Sequence, residues 1–339
     1  MEYCGMDVHQ KYSEVCLLDE GGEVVERARI RTSRSGLGRY FSAKNKMKVV
    51  LEAGGSSPWV SRLVESCGHE VVVCSPRRVR LIAESTLKND RIDAEVLARL
   101  VRIDPGFLGR VQQRSERAQV LRSKLTVRSR LVTTRTKWIN TVKGILRALG
   151  YTVPGGASRT FCYRVRSVEL PEELATTIEP LLRQLDAVNE EIIRCEKELR
   201  NIASAMPEVM HLQEVPGVGL IVSLYFVLTV DDPYRFRKSR DIPAFFGLRP
   251  KMRSSGDVST YGRISKQGDP EMRRLLIQAA HALMQCRTPC ALQDWATKVV
   301  QRRGYAKAMV ALARKLGVVM HHLWVTGEVF ERYPSKKAA

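Results

Sequence analysis

The sequence predicts a mixed α/β domain over roughly the first hundred residues and an all-α remainder. Short alternating or apolar runs of strand length are confined to residues 2–74. Beyond them lie a long basic amphipathic stretch and then a helix with a seven-residue apolar repeat. Residues 2–8, 12–18 and 24–31 alternate or run apolar, and Asp19-Glu20-Gly21-Gly22-Glu23 separates the second from the third. That spacing predicts an antiparallel meander. A helix near 36–44, a strand at 47–52, a helix at 58–67 and a strand at 70–74 follow, then helices at 76–84 and 90–102. Three antiparallel strands followed by β-α-β units is the order of an RNase H-like mixed sheet. Asp104-Pro105-Gly106 punctuates the chain, which sets a first domain at 1–105.

Residues 116–149 predict a long helix carrying nine Lys or Arg against Glu116 alone, ended by Pro154 and its neighbouring glycines. In the next helix Leu174, Ile178, Leu181, Leu185, Val188, Ile192, Cys195, Leu199 and Ile202 alternate steps of four and three. Strict a/d spacing is the signature of a left-handed coiled coil. It suits a hairpin with residues 116–149 or a dimer, and defines a middle domain at 106–205. A mainly helical C-terminal domain is expected at 206–330, with 331–339 as a tail. It opens on Pro216-Gly217-Val218-Gly219, which looks like a helix-hairpin-helix turn. Gly217 and Gly219 there would let backbone N–H groups approach a phosphate, although a purely structural turn reads the same way.

The formal net charge is +20 over 339 residues. Residues 1–105 carry only +2 of it, 106–171 carry +12, 172–202 carry −4 and 203–339 carry +10. A positive field concentrated in the middle and C-terminal parts suits a polyanion partner. Arg128, Arg130, Arg135 and Lys137 on the basic helix are the expected contacts, each also readable as a solvated helix face. The negative helix at 172–202 should meet protein. The eight cysteines are scattered without a Cys-x-x-Cys pair, which reads as reduced thiols. The first residues do not form a signal peptide and no apolar run approaches 18 residues, so a cytoplasmic protein with no membrane partner is expected.

Four carboxylates carry the chemistry. Asp7 and Glu52 sit on strands, while Asp90 and Asp93 are three apart at a helix start and share one face. Acidic groups on separate elements that converge are what a site for two divalent cations needs, and such a site acts on phosphodiesters. Asp90 as an N-cap with Asp93 at N3 is the competing structural explanation. His9 points to the same strand face as Asp7, from which it could assist a metal-bound water, and is assigned as a structural histidine. A second constellation lies at 247–268, a basic, Gly- and Ser-rich loop with Lys251, Arg253, Arg263 and Lys266 around Ser254 and Ser255. Asp269 and Pro270 then open a helix to about 285.

Taken together, Asp7, Glu52-Ala-Gly-Gly, Lys88-x-Asp90-x-x-Asp93-Ala94, the heptads, Pro-Gly-Val-Gly and Arg-Ser-Ser-Gly…Gly-Arg-Ile-Ser-Lys-x-Gly resemble a known family over roughly residues 3–325. The family is the DEDD insertion-sequence transposases with a serine nucleophile, which includes the bridge-RNA-guided recombinases and the pilin-gene inverting enzyme. The resemblance implies a RuvC-like N-terminal domain with Mg²⁺ or Mn²⁺ on Asp7, Glu52, Asp90 and Asp93. It also implies a C-terminal serine joined covalently to DNA, which maps to Ser255 with Ser254 as the fallback. Implied partners are DNA as element ends or circular donor and target, a structured guide RNA from the element, and further copies of the chain as dimer or tetramer. The implied place is the bacterial nucleoid. A metal-dependent junction endonuclease without a serine intermediate and a non-catalytic nucleic-acid-binding protein are the two rivals.

Overall fold

The computed structural model describes residues 1–82, 89–255 and 258–334, with side chains at all of these except 80–82, 253–255, 258 and 259. The chain forms two compact units, Met1–Arg114 and Ser115–Ala339. In the first, β1 (Glu2–Val8), β2 (Tyr12–Leu18) and β3 (Val24–Arg31) precede α1 (Arg34–Ser42), β4 (Met47–Glu52), α2 (Ser57–Ser66), β5 (Glu70–Cys74), α3 (Pro76–Ile82) and α4 (Asp90–Ile103). The five strands make one mixed sheet in the order β3-β2-β1-β4-β5. β1 runs antiparallel to β2 and parallel to β4, which is parallel to β5.

Alternation along the strands divides the apolar residues between two faces. Cys4, Met6, Val15, Leu17, Val49, Leu51, Val71 and Val73 pack with Leu37 and Phe41 of α1 and Val60 and Val64 of α2. Val50, Val72 and Cys74 on the opposite face pack with Leu97 and Val101 of α4, and Cys16 and Leu18 with its Ala94 and Ala98. Residues 106–114 close this unit rather than opening a middle domain. Leu108 is buried there, Val111 N–H donates to the Val73 carbonyl at 2.7 Å, and Arg110 bridges Cys74. The unit therefore ends after Arg114, nine residues beyond the sequence-based boundary at 105.

The second unit contains α5 (Glu116–Ala148), α6 (Phe161–Arg166), α7 (Glu172–Ser204), α8 (Pro207–Leu212), α9 (Leu220–Val230), α10 (Ile242–Phe245), β6 (Pro250–Ser255), β7 (Val258–Ile264), α11 (Pro270–Met284), α12 (Ala291–Arg303) and α13 (Tyr305–Thr326). The helices α5 and α7 form an antiparallel hairpin within the chain, with Lys124 against Glu198, Arg128 against Glu196 and Arg135 against Asn189. The buried stripe of α7 is Ile178, Leu182, Leu185, Asn189, Ile192, Leu199 and Ala203. The a positions expected from the heptads are there, but the second position has slipped by one, from Leu181 to Leu182 and from Val188 to Asn189. The slip follows from what α7 packs on. One end shares a core with α6 and the end of α5, through Ile139, Val142, Leu146, Phe161, Val165, Ile178 and Leu185. The other end joins the C-terminal core, with Ala118, Leu125, Leu199 and Ala203. In that core α9 is buried along nearly its whole length beside α11 and α13.

Residues 250–264 correct the expectation of a basic loop. They form a two-stranded antiparallel ribbon, β6-β7, in the register Met252↔Tyr261, Arg253↔Thr260, Ser254↔Ser259 and Ser255↔Val258. Only Gly256 and Asp257 lie between the strands, and they fall outside the described residues. Among the described residues no helix is long and apolar enough to cross a membrane.

Candidate functional site

Asp7 stands at the end of β1 and Glu52 is the last residue of β4. The parallel register pairs Met6 with Leu51, so Asp7 and Glu52 follow side by side at the carboxyl ends of two central strands. Both belong by alternation to the face that carries α4. Gly5 lets α4 settle on that face. A Cβ there would lie 1.9 Å from the Ala94 carbonyl oxygen and 2.4 Å from the Ala98 nitrogen. The close seat brings the first turn of α4, with Asp90 and Asp93, to the end of β1. Asp90 does not cap this helix. Asn89 does, its side-chain oxygen accepting from Arg91 N–H at 3.1 Å, so Asp90 is the first helical residue and is released from the capping role.

His9 joins the two elements. Its Nε2 lies 3.0 Å from Asp7 Oδ2 and 3.2 Å from Asp90 Oδ2, with the ring about half exposed at 52%. The structural histidine expected from sequence thus sits against two of the candidate metal-site carboxylates. A lone His in a strand-end loop gives no sign of Asp90, which arrives from about eighty residues downstream. The donor atoms of Asp7, His9 and Asp90 all lie within 4.8 Å of one another, and Glu52 and Asp93 stand outside that group. Burial pushes the Asp7 carboxyl above its ordinary value; His9 pulls it down, while the negative Asp90 and Asp93 push it further up. Glu52 is felt by its own neighbour. Burial first and the Glu52 charge second raise the Cys74 thiol to about 12. Glu14 lies directly opposite Asp7 on β2, an unfavourable like-charge register that Arg29 at 3.3 Å and Arg91 at 3.9 Å offset. The two grouped carboxylates, Asp7 from β1 and Asp90 from α4, offer the oxygen donors a hard divalent cation takes, with His9 Nε2 against both.

Comparison with known proteins decides the family. A DEDD-type IS110 transposase model matches residues 4–150, which include all four carboxylates, and an IS116/IS110/IS902 transposase model matches residues 209–296. The transposase for insertion sequence element IS1111A of Coxiella burnetii is 31% identical over 338 residues, covering 96% of this chain and 90% of that protein. The transposase for IS1328 of Yersinia enterocolitica is 29% identical over 335 residues, covering 97% and 98%. The chain belongs to the IS116/IS110/IS902 transposase family.

The cations proposed from sequence for this transposase divide into two groups. Arg128 is engaged by Glu196 at 2.5 Å, and Arg135 is half-buried against α7, where burial lowers its guanidinium from the ordinary value. Both tie the hairpin together. Arg130 and Lys137 are exposed and line an open groove of about 1050 Å³ between α5, α9 and α11. The Pro-Gly-Val-Gly turn divides in the same way. Gly217 has a φ of +82°, and a Cβ there would lie 2.4 Å from the Ala279 carbonyl oxygen, so it serves packing on α11. Gly219 is exposed at the start of α9 with open space around it. On the ribbon, Lys251 and Arg263 are exposed, as is Lys266 just after it. The side chains of Arg253, Ser254 and Ser255 lie outside the described ones, as does all of Lys88.

Proposed function

We propose that the chain cuts and rejoins DNA strands as the transposase of an insertion sequence, with Ser255 as nucleophile. The observation that carries this reading is the meeting of Asp7 and Asp90 through His9 in a member of this family. The sheet order β3-β2-β1-β4-β5, with acidic residues at the ends of β1 and β4, supports an RNase H-like, RuvC-like unit. Asp7, Glu52, Asp90 and Asp93 would hold Mg²⁺ or Mn²⁺, which when bound neutralises charge developing on a phosphodiester. His9 keeps the Asp7 and Asp90 carboxylates together. The Ser255 oxygen forms a bond to phosphorus as the bond to the 3′ oxygen breaks. The serine proton ends on the departing oxygen, leaving a phosphoserine-linked 5′ end and a free 3′-hydroxyl. A 3′-hydroxyl from a partner strand reverses the step and releases the serine. The exposed cations Arg130 and Lys137 support contact with DNA and with an element-encoded guide RNA. The active form is a homo-oligomer, dimer or tetramer.

The test is a denaturing gel of the protein with Mg²⁺, labelled element-end DNA and the adjoining non-coding RNA. A protein–DNA adduct is expected, absent in Ser255→Ala and in Asp7→Ala. Cleavage that survives Ser255→Ala would leave a junction-type nuclease that uses water. Tight DNA binding with no cleavage, unchanged by Asp7→Ala, would leave a binding protein.

A further inference from the structure

The β6-β7 ribbon has a rooted end and an outer part. At the root, Leu248 is buried and Ile264 packs against the C-terminal core. Ser265 N–H donates to the Arg249 carbonyl at 2.8 Å and Lys266 N–H to the Gly247 carbonyl at 3.0 Å. Gly247 and Gly268, both at positive φ, let the crossing segments touch. A Cβ would lie 2.2 Å from the Gln267 carbonyl oxygen in the first case and 2.1 Å from that of Phe245 in the second. Further out, no third strand joins the two among the described residues. A lone two-stranded hairpin is marginally stable in water. Yet this one displays a large aromatic and a thioether: Tyr261 is 73% exposed and Met252 54%. They are direct cross-strand partners and so share one face. Exposed Lys251 directly precedes Met252, and exposed Arg263 stands two residues beyond Tyr261 on the same strand.

An exposed aromatic on a strand that also carries exposed cations is how proteins stack a base while holding its phosphates, and flexible apolar side chains serve as wedges between base steps. A second copy of the ribbon is disfavoured as occupant. Residues 249–266 carry five cations against Asp257 alone, and two such ribbons would repel one another. We propose that Tyr261 and Met252 form a stacking platform that holds an unpaired DNA base. This inference rests on the DNA strand-transfer reading and adds to it a preference for unstacked over fully paired DNA.

The experiment uses the full chain in EDTA, so that binding is read without cutting. One probe is a fluorescein-labelled oligonucleotide duplex with a single unpaired 2-aminopurine; the other is the fully paired duplex of the same sequence. Wild type should bind the unpaired probe more tightly and change its 2-aminopurine emission. Tyr261→Ala should lose about 5- to 150-fold in affinity for that probe. It should stay within about twofold on the paired duplex, and Tyr261→Trp should restore both affinity and emission change. Lys251→Ala with Arg263→Ala should weaken both probes alike and flatten the salt dependence. Unchanged binding and emission in a folded Tyr261→Ala overturns the platform while leaving the transposase reading intact. A Tyr261→Ala effect seen only in sedimentation, not in DNA binding, overturns it in favour of a contact between copies. Wild type that binds neither probe sinks both readings.

Discussion

His9 stands between a carboxylate of β1 and one of α4, with Nε2 within 3.2 Å of both Asp7 and Asp90. A group that hydrogen-bonds metal ligands typically contributes 10- to 100-fold to affinity. Calorimetric titration with Mn²⁺ should show about that loss in His9→Ala and a larger one in Asp7→Asn; unchanged affinity in both would remove the cluster from metal binding. A second residue-scale device lies under α5. Asp269 caps α11 and accepts from Arg122 at 2.6 Å, with both side chains mostly buried at 12% and 16% exposure. Burial would raise the Asp269 carboxyl, but the bonds from Arg122, Met272 N–H and Tyr225 outweigh it and hold it below its ordinary value. Its stabilisation is therefore complete above the unfolded-state value of about 3.9 and fades as pH falls through the lower folded value. Asp269→Asn should cost roughly 3–5 kcal/mol in urea unfolding at neutral pH. The gap from wild type should narrow in strong acid, and a gap independent of pH would contradict the pair.

The elements show how much could be read beforehand. The strands of the first unit and the long helices fall within a residue or two of the predicted spans, because apolar periodicity is a property of the segment itself. Three features escaped because they depend on a partner. Gly5 reads as an ordinary strand glycine until Ala94 and Ala98 are laid against it. Arg135 and Arg128 look like polyanion contacts until α7 supplies Asn189 and Glu196. His9 can be placed beside Asp7 from the strand alternation, but its contact with Asp90 shows only once α4 is in place. The ribbon is a different kind of miss. Ser255 and Val258 are separated by two residues, Gly256-Asp257, a spacing that itself signals a hairpin, although the flanking serines and cations lack the apolar alternation of a strand. Gly5→Ala should destabilise the first unit by about 1–3 kcal/mol by forcing α4 outward, and should weaken Mn²⁺ binding with it. Gly144→Ala is the contrasting case. Gly144 is exposed in mid-helix with no atom near its absent Cβ, and the change should stabilise by roughly 0.5–1 kcal/mol. A neutral Gly5→Ala in thermal melts would show that the close seat of α4 is not needed.

At the scale of the molecule, the +20 charge overstates what is available to a polyanion. The acidic α7 consumes part of the basic α5: Lys124 faces Glu198, and Arg128 faces Glu196. Arg130 and Lys137 remain exposed. Each phosphate contact contributes about −0.9 to the slope of log affinity against log salt. Removing Arg130 and Lys137 together should make the measured slope shallower by about 2, with little change in melting temperature. Removing Arg128 and Arg135 should do the reverse, lowering the melting temperature while keeping the slope. Equal effects from both double variants would mean that the hairpin pairs do not withdraw these cations from DNA.

The α5-α7 hairpin has one further property. Its apolar contacts gather at two ends, around Ile139, Phe161 and Leu182 in one place and Leu125 and Leu199 in the other, with the half-buried Arg135 and its acceptor Asn189 between them. Such a pair fixes how the helices slide past each other, since any shift strands an arginine without its acceptor. An arm built this way works as a ruler. Adding one heptad to each helix on the far side of Asn189 would carry the tip about 10 Å outward while the register stayed locked. Whatever the tip touches, the distance from it to the C-terminal core can lengthen or shorten by whole turns without that core being rebuilt.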